Sequence, residues 1–334
     1  MFNMIRKYAV FAGLFGATAL MASCGGKGAA AQGDDADSVS VSVPAFSADS
    51  AYSGVAAQVA LGPRVPGTAA HAQCVEMIVS RMRKAGADSV WVQHGVMADA
   101  ANNPVKISNI IARFNATAPK RLLLMAHYDT RPWADEDADA SNHDKPIPGA
   151  NDGASGVGVL MEIGRLLGMQ KPDVGVDLLF VDAEDMGVSD DDDPSSDLTW
   201  CLGTQFFVNN MPYSPADRPE AAVLLDMVGG HGARFPYEYF SYRGARQLAE
   251  RIWNTADGCG EGERFEKRVA GAVNDDHVHT LGAGIPTVDI IEIGHAETGS
   301  FNPTWHTMND NMDNIDASTL GAVGKVVTAF IYNY

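Results

Sequence analysis

The stretch "LLFVDAEDMG", residues 178–187, places Glu184 and Asp185 side by side just past an apolar run. Adjacent carboxylates at the end of a buried strand are costly unless a cation or a proton-transfer task accompanies them. Further acids and imidazoles recur in the same kind of position. "RLLLMA" runs into His127-Tyr128-Asp129, "AVLL" runs into Asp226, Asp152 follows "PGAN", and His306 lies in "TWHTMNDN". Carboxylate oxygens together with imidazole form a donor set suited to zinc, and a catalytic zinc keeps three protein ligands and one open position. Taken singly, each residue has a plainer role. Asp152 could cap a helix, Asp226 could satisfy a loop amide, and His306 could be a hydrogen-bonded core imidazole. It is their convergence that points to a metal centre.

Two other chemistries are excluded by local context. "GASGVG" follows a Pro-rich loop rather than a strand, and Asp152 at its mouth would repel phosphate. Ser155 lacks the G-x-S-x-G spacing of a nucleophile elbow.

The elements that must position these residues alternate between strand and helix. "SVWVQHGVM" and "VKISNIIARFN" alternate with period two and read as an antiparallel pair. "RLLLMAH", "VGVDLLFVDA", "AAVLLDM" and "IPTVDII" are short continuous apolar runs, as in strands covered on both faces. Helices are expected at "AYSGVAAQVALG", "GTAAHAQCVEMIVSRMRKAG", "ASGVGVLMEIGRLLG", "GTQFFVNNM" and "RGARQLAERIWNTA", with a last one at "DASTLGAVGKVVTAFIYNY" capped by Asp316 or Ser318. The pattern implies one α/β domain with a central, mixed and mostly parallel sheet flanked by helices. In such sheets ligands gather beyond the carboxyl ends of the strands, where the acids fall.

The first 23 residues read as a secretory signal, with Arg6 and Lys7 before an apolar stretch. "LMASC" resembles a lipobox, which implies a lipid on Cys24 and an exported, periplasmic or membrane-anchored protein. Residues 24–44 are small, polar and aperiodic, as in a flexible tether, and residues 45–334 form the domain. Setting Arg6 and Lys7 aside leaves 22 basic against 42 acidic residues. That balance argues against nucleic acid and against an anionic membrane surface as partners. Cys74, Cys201 and Cys259 allow at most one disulfide, so the core must hold the fold. The sequence leaves open whether Cys201 and Cys259 pair. "SDDDDPSSD", residues 189–197, lacks EF-hand spacing and reads as a solvated, mobile loop on the rim of the site.

"HYD", "PGANDGASGVGVLMEIGRLL", "FVDAED", "LLDMVG", "NDDH…GAGIPTVDII" and "WHTMNDN" occur in the order seen in the zinc aminopeptidase superfamily. Over the whole mature domain the chain most resembles the glutaminyl cyclase branch, in its bacterial, animal-type form. The resemblance implies one zinc on Asp152, Asp185 and His306, with Glu184 as proton shuttle. It also implies that Asp226 and Asp275 bond to each other and to the substrate amine or the leaving group, and that Trp305 walls the pocket. The implied substrates are peptides or proteins with N-terminal glutamine, and the expected state is a monomer. Asp185 stands where relatives often carry Glu. Met186-Gly187-Val188 replaces the tryptophan that closely follows the catalytic pair in animal enzymes, leaving Trp200 or Trp133 as the far wall. A two-zinc aminopeptidase is the alternative, its second metal using His127 and Asp226 with Asp152 bridging. Asp275, where the aminopeptidases usually have Ser, is expected to withdraw Asp226 from such a metal, and Trp305 likewise favours the cyclase. A non-catalytic zinc-binding lipoprotein is a third, weaker reading.

Overall fold

The N-terminal helix α1 (Ala48–Val59) begins under the Ser47 side chain, which accepts the Ser50 amide. Helix α2 (Ala69–Ala85) is opened by Thr68 and stopped by Gly86 in the left-handed conformation that glycine adopts without strain. Its Cys74, Ile78 and Met82 face inward, as their four-residue spacing predicts. The computed structural model describes residues 42–190 and 192–334. The signal segment and nearly all of the tether expected before the domain lie outside the described residues.

Among the described residues eight strands and eight helices form, and the six strands and six helices expected from the sequence are among them. Strands β1 (Ser89–Ala98) and β2 (Pro104–Phe114) precede β3 (Arg121–His127), helix α3 (Ala154–Met169), β4 (Gly175–Val181), α4 (Leu202–Asn209) and β5 (Ala221–Asp226). Then come β6 (Phe235–Tyr237), α5 (Tyr239–Gly244), α6 (Arg246–Gly258), β7 (Phe265–Val269), α7 (Asp276–Gly282), β8 (Thr287–Ile291) and α8 (Ala317–Tyr332). The main sheet has the order β1-β2-β4-β3-β5-β8. Strands β4, β3, β5 and β8 run parallel, and β2 joins β1 and β4 antiparallel. Asp316, not Ser318, caps α8.

Every residue of β3, β4, β5 and β8 is buried, which accounts for their unbroken apolar runs. Helices α1, α2, α3, α6 and α8 share the larger core on one face. Phe207 of α4 packs on the other face with Leu123, Met125, Leu179 and Leu224. β3 lies between β4 and β5, so the chain leaves β3 toward one neighbour and later returns on its other side. That reversal opens a crevice at the carboxyl ends of these three strands. The short β6, β7, α5 and α7 are absent from the sequence-based expectation; too short to show a period, they are set by tertiary packing.

The glycines at the head of α3 serve close approach. A Cβ on Gly153 would fall 2.4 Å from the His127 carbonyl oxygen, and one on Gly156 would fall 2.1 Å from that of Leu225. The helix start is thereby pressed onto the ends of β3 and β5.

Candidate metal centre and pocket

Asp152, Asp185 and His306 each offer one donor atom, and these three atoms lie within 4.8 Å of one another. His306 Nε2 is 3.2 Å from Asp185 Oδ1 and 3.6 Å from Asp152 Oδ2. All three side chains are buried, and Asp185 Oδ2 has no hydrogen-bond partner among the described residues. A buried carboxylate with one orphaned oxygen, grouped with a second carboxylate and an imidazole, fits a divalent cation of the zinc type. Asp152 is no helix cap: the N-cap position of α3 is Gly153, with no side-chain cap bond. The shorter acid at 185 reaches the cluster without difficulty.

The imidazole is oriented from behind. His306 Nδ1 lies 3.4 Å from Asp135 Oδ1, and Asp135 is gripped by Arg131 at 2.7 and 2.5 Å. Such an outer partner fixes the ring and makes the inner nitrogen a better donor. Although burial works the other way, Asp185 and Asp135 lift His306 to about 9.

Two further carboxylates hold the loops that carry these residues. Asp129 accepts the Glu184 amide at 3.1 Å and the Asp185 amide at 3.2 Å. Asp310 accepts the Asn151 amide at 2.7 Å and the Asp152 amide at 3.1 Å. Asp129 and Asp310 lie inside the motifs "HYD" and "WHTMNDN", but spacing alone gives neither of them this clasping role. Arg131 and Asp135 are likewise not legible from spacing, in a loop whose many acids hide the one arginine.

Glu184 faces the centre from the same turn. Burial pushes its carboxyl well above the usual range; Asp185, Asp275 and Asp276 add to this and His127 opposes it. A carboxyl so placed can take up and return a proton near neutral pH.

The pocket over this centre has aromatic walls. Trp305 stacks on His306 with ring centroids 3.7 Å apart, and Trp200 lies parallel to the same imidazole at 6.1 Å. Both tryptophans line the pocket with Glu184, Asp226 and Asp275. Trp200 therefore stands opposite as the second aromatic wall, whereas Trp133 is not among the residues that line the pocket. A Cβ on Gly187 would strike the Trp200 ring at 2.0 Å. The glycine thus leaves the space that the Trp200 ring fills.

Comparison with known proteins identifies the family. Residues 109–331 match the model of peptidase family M28. The chain belongs to that family. Bovine glutaminyl-peptide cyclotransferase is 26% identical over 302 residues, covering 81% of this chain and 78% of that protein. Bacteroides thetaiotaomicron glutaminyl cyclase, solved with N-acetylhistamine, is 43% identical with a TM-score of 0.84, covering 88% of this chain and all of that one. A Zn-dependent exopeptidase from Parabacteroides distasonis is 44% identical with a TM-score of 0.83, covering 88% of this chain and all of that one.

For a member of family M28, a second cluster matters. His127 Nε2 lies 3.0 Å from Asp152 Oδ1 and 3.2 Å from Asp226 Oδ1, and these donors also gather within 4.8 Å. The expected withdrawal of Asp226 by Asp275 is thus corrected. Asp226 bonds His127, while Asp275 turns Oδ1 to the Asp276 amide at the start of α7. Their coupling is electrostatic: burial lifts Asp226 to about 7, and the Asp275 charge adds to that rise.

The described residues of the acidic rim loop carry local structure that its composition does not announce. It folds around a 3-10 turn, Pro194–Thr199, capped by Asp193, and Ser196 Oγ accepts the Asp190 amide. Ser189 and Asp197 reach the pocket mouth. Cys201 and Cys259 are both free, which settles their pairing.

Proposed function

We propose that this chain cyclises the N-terminal glutamine of peptides and proteins to pyroglutamate, releasing ammonia, with one zinc on Asp152, Asp185 and His306. The observation that carries this reading is the small pocket in which Trp305 and Trp200 flank the donor cluster while Glu184 faces it from within. The similarity to several glutaminyl cyclases over most of the chain supports it.

A bound zinc supplies Lewis-acid polarisation of the side-chain amide carbonyl. The protein's own residues do the rest. Trp305 and Trp200 confine the glutamine side chain so that its own amine faces the carbon it attacks, and the reaction stays intramolecular. Asp226 and Asp275 accept hydrogen bonds from that amine. As the new N–C bond forms, Glu184 removes the amine proton. It returns the proton to the side-chain nitrogen, which leaves as ammonia when the old C–N bond breaks.

One observation favours the alternative, a two-zinc aminopeptidase: the His127–Asp152–Asp226 cluster. Purified protein assayed with Gln-initiated and Leu-initiated peptides separates the two. The cyclase reading expects ammonia without free amino acid and one zinc per chain; released leucine with two zincs per chain overturns it. A zinc-binding lipoprotein without catalysis would show neither product. We further infer an exported monomer held at a membrane, if at all, by lipid on Cys24. Among the described residues no helix is long and apolar enough to cross a membrane.

A further inference from the structure

Beside the centre lies a third donor cluster that the proposed chemistry does not use as such. Glu184, Cys201 and Asp275 each bring one donor atom within 4.8 Å of the others, and all three side chains are buried. The Cys201 thiol donates to Glu184 Oε1 at 3.4 Å. Asp275 Oδ2, also buried, has no hydrogen-bond partner among the described residues.

The cluster is built by the backbone. The Cys201 amide donates to the Glu184 carbonyl at 2.8 Å and the Leu202 amide to that of Ala183 at 3.0 Å. These bonds strap the start of α4 to the turn that follows β4. Cys201 itself holds a left-handed conformation, φ 55°, which fixes the direction of its side chain. Metal–sulfur and metal–oxygen bonds of about 2.3 and 2.1 Å at a tetrahedral angle put the two donor atoms roughly 3.6 Å apart. The observed sulfur–oxygen spacing of 3.4 Å is close to that. Glu184 and Asp275 also line the pocket, so an ion has a way in.

We propose that Glu184, Cys201 and Asp275 form an inhibitory site for a thiophilic divalent cation, separate from the Asp152–Asp185–His306 centre. Binding replaces the thiol proton with a metal–sulfur bond and sends that proton, and any held by the two carboxyls, to solvent. Burial and the charges of Glu184, Asp276 and Asp275 keep the thiol protonated until then; sulfur among the donors favours a soft ion over magnesium or calcium. Occupation takes Glu184 out of proton transfer. The inhibition rests on the proposed role of Glu184; the binding does not.

The test uses the zinc-loaded protein, titrated with cadmium while ammonia release, ultraviolet thiolate-to-cadmium absorbance and zinc and cadmium per chain are followed. We expect one added cadmium per chain, retained zinc, a charge-transfer band and loss of turnover in parallel. Cys201→Ser and Cys201→Ala, each compared with its own cadmium-free rate, should lack the band and weaken inhibition on the order of 100-fold. Cys259→Ser should behave like the parent. Absence of the band from the parent protein, or an equal effect in the Cys201 variants, overturns the site, as does inhibition that tracks zinc loss. A band and one added ion in a protein that releases no ammonia would leave the site standing and sink the cyclase reading instead.

Discussion

Asp129 Oδ1 accepts the backbone N–H of Glu184 at 3.1 Å, and its second oxygen takes the next amide of the chain. One buried carboxylate thus fixes both the proposed shuttle and a proposed ligand. Asp129→Asn turns an NH2 group toward one of these amides and leaves it unsatisfied, at a cost of about 1–3 kcal/mol. We expect lower thermal stability and zinc affinity reduced by roughly 10- to 100-fold, measured by unfolding and competitive metal titration. Unchanged zinc affinity would contradict the clasp.

Glu184→Gln removes the proton carrier and leaves Asp152, Asp185 and His306 in place. Zinc per chain should be retained while turnover falls by roughly 10²- to 10⁴-fold. Full turnover in this variant would remove Glu184 from the mechanism.

Stability of the metal-free protein should fall as pH rises from the carboxylate range toward neutrality. Burial lifts Asp226 and Asp310 to about 7 and also raises Glu184, Asp275, Asp276 and Asp289. The fold holds protons there that the unfolded chain has lost, so each such group stabilises fully below the ordinary carboxylate range and ceases to do so near its folded pKa. The loss is about 1.4 kcal/mol per pH unit for each group. Zinc requires ionised ligands and should flatten the profile. Melting curves between about pH 5 and pH 8, with and without zinc, decide this; a metal-free Tm that climbs over that range rejects it.

The two tryptophans should separate by readout. Trp200→Ala opens the far wall, raising KM by on the order of tenfold with zinc content intact. Trp305→Ala also uncovers His306 and should lower zinc affinity. Gly187→Ala should mimic Trp200→Ala, because its Cβ would meet the Trp200 ring at 2.0 Å. Steady-state kinetics and metal analysis on the three variants check the pattern.

The sequence by itself determined the parallel core strands, the helices between them and the set of acids and imidazoles at their ends. Buried strands must be apolar throughout, and a polar residue that breaks such a run is conspicuous. Tertiary structure alone decided which acids hold the loops and which gather into the donor clusters. Asp129 and Asp310 look like any loop aspartate until their oxygens are seen on the amides of residues 151–152 and 184–185. Only folding could show that Trp200 lines the pocket beside His306, that Asp226 stays with His127, and that Cys201 meets Glu184. These contacts join residues far apart along the chain, and their distances are set by how helices seat on the sheet, which no local spacing encodes.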